Sequence, residues 1–385
     1  MTCLNGVELS VIYGKFQVKR IGRQLSLLHL SVCLWACLPS AQLSVQADYN
    51  WSLPAGLSPP LVPANNPMTL AKVNLGEQLF FDKSLSFNFS MSCASCHQAE
   101  FAFAEPRQYA IGASGQPLKR NTQGLINVAY HSQLTWAHSG LNTIEQQLLI
   151  PLFADDPVEL GISGHEEQVL ARFQQAPYQA MFTAAFGDSQ ISFLRIVQAL
   201  ASYVRSLVSF NSAYDRYTYF AEDKALTADA LRGMDLFFSD RLACFNCHSG
   251  INFNQPSEQQ HRGSQLNAFH NTGLYNTDGQ GSYPREDQGL IEFTLLPGDM
   301  GRFRAPSLRN VAITAPYMHD GSIASLNEVL DFYAAGGRAA GALNPLKSPL
   351  LKGFELSDRE KHDLLAFLHS LTDKSFLRPP IKPQQ

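Results

Sequence analysis

The sequence predicts a mainly α-helical protein made of two similar halves, with long loops and little strand. Three observations predict it. Apolar residues recur at helical spacing in several separate windows. The pentad Cys-x-x-Cys-His occurs twice, as Cys93-Ala94-Ser95-Cys96-His97 and Cys244-Phe245-Asn246-Cys247-His248. The same short pattern precedes each pentad, Gly76-x-x-Leu79-Phe80-Phe81 and Gly233-x-x-Leu236-Phe237-Phe238, so one unit, a helix leading into a pentad, is repeated.

Taken in order, residues 1–47 read as an export signal. Lys15, Lys19, Arg20 and Arg23 form a basic region, and Leu25 to Leu38 is an apolar stretch too short to span a bilayer comfortably. Val45-Gln46-Ala47 offers a small-residue cleavage site, and the residues before Lys15 read as an over-long start. A rival reading is lipid attachment at Cys37, although Trp35 fits a lipobox poorly. Residues 48–67 are Pro-rich and extended, and a helical body begins near Met68. A long helix is expected from Ser192 to Phe210, carrying Ile196, Val197, Leu200, Val204 and Leu207 at core spacing. Asp215 to Lys224 reads as the junction, which divides the mature chain into domains at 48–224 and 225–374. Residues 249–303 lack a clear period and read as a long loop. Capping boxes at Ser325 with Glu328 and Ser357 with Glu360 start two later helices. The tail over 375–385 reads as loose.

Composition narrows the function. The chain has 385 residues, enough for two real cores, and it is 45% hydrophobic and 16% charged, as in ordinary globular proteins. Its net charge of −4 gives no electrostatic footprint for nucleic acid. No segment of the mature chain is long and apolar enough to cross a membrane.

The pentads carry the chemistry. Cys-x-x-Cys-His is the attachment signature of c-type haem: each thiol forms a thioether, and the adjacent His becomes the proximal iron ligand. A zinc site would need four ligands around one ion, and only one His accompanies each Cys pair. Chance predicts on the order of a few thousandths of such a motif in a chain of this composition. The pentads are therefore read as sites for two covalent c-type haems, in two cytochrome c-like domains. Cleavage after Ala47 leaves only Cys93, Cys96, Cys244 and Cys247, so no disulfide is needed. Covalent haem attachment takes place outside the cytoplasmic membrane, which fits a periplasmic protein.

The chain also resembles the bacterial dihaem cytochrome c peroxidases, the wider family that includes MauG. The resemblance covers most of the mature chain. It rests on Lys119-Arg120-Asn121, Leu125-Ile126-Asn127-Val128, Pro157-Val158-Glu159-Leu160-Gly161, Ala305-Pro306-Ser307-Leu308-Arg309-Asn310-Val311 and Thr314-Ala315-Pro316-Tyr317-Met318-His319-Asp320-Gly321-Ser322. Asn66-Pro67-Met68-Thr69, Phe269-His270-Asn271-Thr272-Gly273-Leu274-Tyr275-Asn276 and Asp299-Met300-Gly301-Arg302-Phe303-Arg304 are similar to the MbnH-type enzymes of methanobactin operons.

The resemblance implies unequal jobs for the two haems. Tyr333 falls where the peroxidases place a Met ligand to the second iron and MauG places a Tyr. A thioether favours Fe(II), whereas a phenolate favours more oxidised iron. Packing against Leu326, Val329 and Leu330 is the plain alternative for Tyr333, and Met318 is a rival ligand. The loop Ile111-Gly112-Ala113-Ser114-Gly115 lacks the His that blocks the first iron in reductively activated peroxidases, which leaves that iron open to hydrogen peroxide. Glu159 matches the distal acid, with Gln147 and Pro151 as its pocket companions; the Pro151–Glu159 spacing is two residues longer than usual. Trp136 matches the Trp between the haems. Asn121, with the carbonyls of Thr314 and Pro316, matches a calcium site. His319 and Arg309 are assigned to propionate support or packing.

The implied function is a peroxide-driven oxidase acting on a residue of an exported partner protein, a Trp converted to kynurenine, with a copper-binding partner in the MbnH case. Leu242 stands where MauG has a Trp near its partner surface, which sets this chain apart from the MauG route. The alternative is a peroxidase that takes electrons from a small redox protein. A plain electron carrier would need two closed six-coordinate haems and no distal acid.

Overall fold

A computed structural model describes residues 49–254 and 268–377 of the chain. The proposed export signal and Cys37 fall outside the described residues, as do residues 255–267 within the expected long loop and the end of the tail from 378. The described residues are mostly helical. The first half contains α1 (Leu70–Phe81), α2 (Ile144–Phe153), α3 (Glu166–Arg172), α4 (Tyr178–Phe186), α5 (Phe193–Ser206) and α6 (Ala213–Tyr219). The second contains α7 (Ala228–Phe237), α8 (Ile291–Thr294), α9 (Leu326–Ala334) and α10 (Asp358–Ser370). One antiparallel pair, β1 (Phe269–His270) and β2 (Phe303–Arg304), closes the base of the long loop, with Phe269 opposite Arg304.

The internal repeat is a structural repeat with a physical cause. A Cβ on Gly76 of α1 would sit 2.0 Å from the Ala199 carbonyl oxygen of α5, and one on Gly233 of α7 would sit 1.9 Å from that of Asp363 on α10. Each glycine is thus the point where the helix leading to a pentad crosses its partner helix at backbone contact. The repeat extends further. Asn127 and Asn310 both adopt left-handed backbone, at φ 58° and 61°, a conformation that Asn tolerates. Their N–H groups donate to the carbonyls of Leu207 and Leu371 just beyond α5 and α10. Their Oδ1 atoms accept from Ser209 and Asp373 N–H at 2.7 and 2.8 Å.

Burial gathers the described residues around several apolar cores. A large apolar core joins α1, α2, α4 and α5 around Leu75, Leu79, Phe80 and Phe182. A second joins α7, α9 and α10 around Phe237, Phe253, Phe367 and Leu371. A third, Trp136, Leu274, Tyr283, Phe303, Ile323 and Phe332, takes residues from both halves. That third core ties them together.

Four local expectations are refined. The long helix stops at Ser206 rather than Phe210, because Leu207 and Ser209 give their backbone groups to Asn127. The capping box at Ser357 and Glu360 is complete. At Ser325 only half of it forms, since Glu328 accepts from Ala324 N–H instead. The expected junction is partly α6, where fully buried Asp215 pairs with Arg309 at 2.9 Å. The tail is packed as far as Leu377, with Phe376 against Phe103 at 6.0 Å between ring centroids.

Candidate haem and peroxide sites

Both pentads fold as a short 3-10 turn after their leading helix, at Cys93–Ser95 and Cys244–Asn246. In each, the histidine Nδ1 is bonded to a phenylalanine carbonyl: His97 to Phe103 at 2.8 Å and His248 to Phe253 at 2.9 Å. Both phenylalanines take left-handed backbone, φ 58° and 51°, to present that oxygen. Nδ1 therefore carries the proton, and Nε2 is left as the metal-binding nitrogen. Burial lowers the pKa of both imidazoles, which keeps them neutral, the form that binds iron. All four pentad cysteines are half-buried on their turns.

A deep cavity opens against the second pentad. Its wall includes Cys244, Cys247, His248, Tyr333, Met318 and Trp136. The Tyr333 hydroxyl pKa is raised first by burial and then by the neighbouring Cys247 and Cys244. The phenol thus faces the pentad rather than solvent. Met318 lines the same wall, so both sequence candidates for a sixth ligand are brought to the cavity.

The polar atoms of this wall fit an anionic, macrocyclic group. Arg304 is buried with its pKa lowered to about 10 by desolvation, yet no carboxylate pairs with it among the described residues. Its guanidinium instead donates to the carbonyls of Thr135 and Ala305 and to Gln123 Oε1. Arg309 Nη2 and His270 Nε2 are buried without partners, and both residues line the cavity. Buried donors in this state call for an acceptor, which the carboxylates of a haem would supply. His270 and Arg304 fall in segments that resemble the MbnH-type enzymes, but sequence reasoning gives neither a role; what marks them is an unmet ring nitrogen on His270 and burial without a carboxylate on Arg304.

At the first pentad the structure brings Glu159 within electrostatic reach of both thiols, since its charge helps to raise Cys93 and Cys96. Its carboxyl is pushed up to about 7 by burial. The segment carrying it is pinned on two sides. Leu160 N–H donates to the Pro151 carbonyl of α2 at 2.9 Å, and Ala113 N–H donates to the Glu159 carbonyl at 2.7 Å. A Cβ on Gly112 would meet the Val158 carbonyl at 1.9 Å, so the His-free loop lies directly on the Glu159 segment. Gln147, one turn before Pro151 on α2, has a buried Oε1 without a partner. A buried carboxyl near neutrality is chemistry suited to moving a proton.

Trp136 and Asn121 stand at the seam. The Trp136 indole N–H donates to the Asn121 carbonyl at 2.8 Å, and Asn121 N–H donates to that of His319 at 2.8 Å. Asn121 Nδ2 donates to the carbonyls of Arg107 and Gln108. Asn121, Thr314 and Pro316 line one cavity. His319 stacks on Phe303 at 3.5 Å, consistent with support rather than iron ligation. His131, also on this wall, is buried with both ring nitrogens unpartnered.

Comparison with known proteins agrees with this layout. The sequence model of the di-haem cytochrome c peroxidase family matches residues 70–224. Methylamine utilization protein MauG of Methylorubrum extorquens is 34% identical over 313 residues, covering 80% of each chain. Cytochrome-c peroxidase IdrP1 of Denitromonas iodatirespirans is 36% identical, covering 83% of this chain and 86% of that protein. A crystal structure of a MauG-like protein associated with microbial copper homeostasis matches with a TM-score of 0.83 at 44% identity, covering 86% of this chain and 98% of that one. Together with the two histidine sites, these matches establish that the chain belongs to the di-haem cytochrome c peroxidase family that includes MauG, as a haem-dependent oxidoreductase with two c-type haems.

Proposed function

We propose that the protein uses hydrogen peroxide to oxidise a residue of a partner protein, a Trp converted to kynurenine, as a MauG- and MbnH-like oxidase. The observation that carries this reading is Tyr333 on the wall of the second pentad's cavity, beside Cys244, Cys247 and His248. When bound, the haem pair supplies the two-electron chemistry with peroxide and stores the oxidising equivalents. The chain's own residues do the rest. His97 and His248 hold the irons, with Tyr333 as the second ligand of the second iron. A phenolate there favours the more oxidised metal, so the second site can share the oxidising charge. Glu159 accepts a proton from peroxide at its carboxylate and returns it to the departing oxygen. Gln147 and Pro151 shape that pocket. Trp136 connects the two sites, and Asn121 with the Thr314 and Pro316 carbonyls holds a calcium ion at the seam. Arg304, Arg309 and His270 carry the haem carboxylates.

On this reading the chain consists of an export signal and two haem domains, 48–224 and 225–374, working in the periplasm; lipid attachment at Cys37 is the less favoured form. No helix of the described residues is long and apolar enough to cross a membrane. The likeness to a MauG-like protein associated with microbial copper homeostasis supports an exported, copper-binding partner. The second reading, a peroxidase fed by a small redox protein, is favoured by the likeness to peroxidase IdrP1 and by Met318 beside Tyr333 on the same wall.

The test is a titration of the diferric protein with stoichiometric hydrogen peroxide, without reductant, followed in the visible and near-infrared. Rapid loss of the ferric Soret band with a long-lived near-infrared feature is expected. Reaction only after one haem is reduced would overturn the oxidase reading in favour of the peroxidase.

A further inference from the structure

The oxidising equivalents proposed above have to leave a buried site. Position 242, just before the second pentad, holds a buried leucine, which cannot be oxidised. Another route runs through the third core. Trp136, Phe303 and His319 line the cavity wall. Tyr283, in one cluster with Trp136 and Phe303, has its ring centroid 6.0 Å from Phe303 and 6.3 Å from His319. Tyr275 lies edge-on to Tyr283 at 5.5 Å and is half-buried, so the aromatic series ends at the surface.

The two tyrosines differ in their proton partners. Tyr283 OH donates to the neutral amide oxygen of Asn271 at 3.0 Å. Tyr275 OH donates to the buried Asp320 carboxylate at 2.5 Å, the length of a short, charge-assisted bond. Asp320 is fixed by Ser322 N–H on its other oxygen and by Gln108 on its carbonyl. Among the described residues, one other tyrosine donates to a carboxylate, Tyr178 to Asp82. Its ring contact is with Phe173 inside the first core, away from the cavity.

We propose that Tyr275, with Asp320 as its proton acceptor, is the outlet through which oxidising equivalents pass from the haem pair to an oxidisable aromatic side chain of a partner protein. The inference rests on the peroxide-oxidase reading. Hydrogen peroxide is the two-electron oxidant: it would become two waters by taking two protons from solvent by way of Glu159 and two electrons through the bound haem pair, which the chain would then have to replace. Tyr275 gives one electron to that pair by way of Tyr283 and, across Phe303 in the same cluster, Trp136, and its phenolic proton to Asp320 Oδ2. A neutral phenoxyl radical remains. It regains an electron from the partner's aromatic ring and its proton from Asp320, and a second cycle completes the two-electron oxidation that one peroxide supports, half of the four electrons that conversion of Trp to kynurenine requires.

The experiment uses the full holoprotein and hydrogen peroxide, with no partner present. Freeze-quench electron paramagnetic resonance follows radicals, and peptide mass spectrometry maps added oxygen or tyrosine cross-links. In the wild type, a tyrosyl signal and modification of the Tyr275 peptide are expected. Tyr275→Phe abolishes both, and Tyr178→Phe abolishes neither. Asp320→Asn keeps a hydrogen-bond acceptor but cannot take the proton, so the tyrosyl signal is lost while the peroxide-oxidised haem state persists longer. Mapping on the unaltered protein needs no variant, so a folding defect cannot hide the answer. A Soret response with radical and modification elsewhere, or unchanged in Tyr275→Phe, overturns the outlet alone. No Soret response to peroxide overturns the oxidase reading and the outlet with it.

Discussion

Replacing Glu159 by Gln separates a proton-moving role from a merely structural one. Burial holds the Glu159 carboxyl at about 7, against an ordinary 4.5. At pH 5 it is two units below its pKa, so only about one molecule in a hundred carries the carboxylate. A step in which that carboxylate takes the proton of hydrogen peroxide therefore speeds up about tenfold per pH unit from pH 5, then levels above pH 7. Glu159→Gln keeps the volume and removes the base; the loss is about 10²- to 10⁴-fold, and the pH profile flattens. Stopped-flow loss of the Soret band with peroxide, repeated across pH, reads both. Stability moves the other way. Between pH 4.5 and about 7 the native protein holds more protons at this carboxyl than the unfolded chain does. Native stability thus falls as pH rises through that window, and the Gln variant escapes that fall. The variant should match the wild type in urea unfolding at pH 4 and exceed it at pH 8. A flat wild-type rate profile, or a Gln variant with wild-type rates, would refute the assignment.

Four further outcomes follow from the geometry. Gly233→Ala gains about 1 kcal/mol of helix propensity but drives a Cβ to 1.9 Å from the Asp363 carbonyl; overpacking of about 1–3 kcal/mol or more should leave a net loss in urea unfolding. Arg309→Leu strips the fully buried Asp215 carboxylate of its 2.9 Å partner and should cost about 3–5 kcal/mol in the same assay. Tyr333→Met exchanges a hard ligand for a soft one, so potentiometry should show a higher potential for the second haem, and the near-infrared feature should vanish. Metal analysis of the purified protein should find calcium, and Asn121→Ala should lose it, while the Trp136 indole keeps its bond to the main-chain carbonyl of residue 121.

Sequence legibility tracked how local each constraint is. The pentads were plain because a covalent haem link needs both thiols and the histidine within five residues. The repeated Gly76 and Gly233 pattern foretold two equivalent helix crossings, since backbone contact between helices excludes any side chain. The helix carrying Tyr333 was legible from its spacing and from Ser325, although the second half of the cap went to Ala324. What the sequence hid is set by distance along the chain. Arg309 and Asp215 are 94 residues apart, yet they form one buried pair. Arg304 looks like any basic residue until its burial without a carboxylate is seen. The helix end at Ser206 depends on Asn127, some eighty residues earlier, so no local pattern near 206 announces it.

The same distinction separates a relay from a terminus for charge. Trp136 is buried, and its indole N–H is bonded to a peptide carbonyl, a poor proton acceptor. An oxidised indole held this way keeps its proton and returns to its ground state as soon as an electron arrives, so charge passes through it without being trapped. Tyr283, bonded to an amide oxygen, is in the same position. Burial pushes the Tyr275 phenol up to about 12, as does the Asp320 carboxylate that its hydroxyl meets. The resting tyrosine is thus protonated, and its proton has a base to move to once the electron has gone. Loss of the proton makes the radical neutral, which lowers its tendency to draw an electron back from the tyrosine's own neighbours. Charge therefore settles where electron and proton part, and in this fold that point is at the surface, in the half-buried Tyr275. If Trp136 were instead the resting place, Asp320→Asn would leave the radical yield unchanged, and the modification map would centre on residue 136.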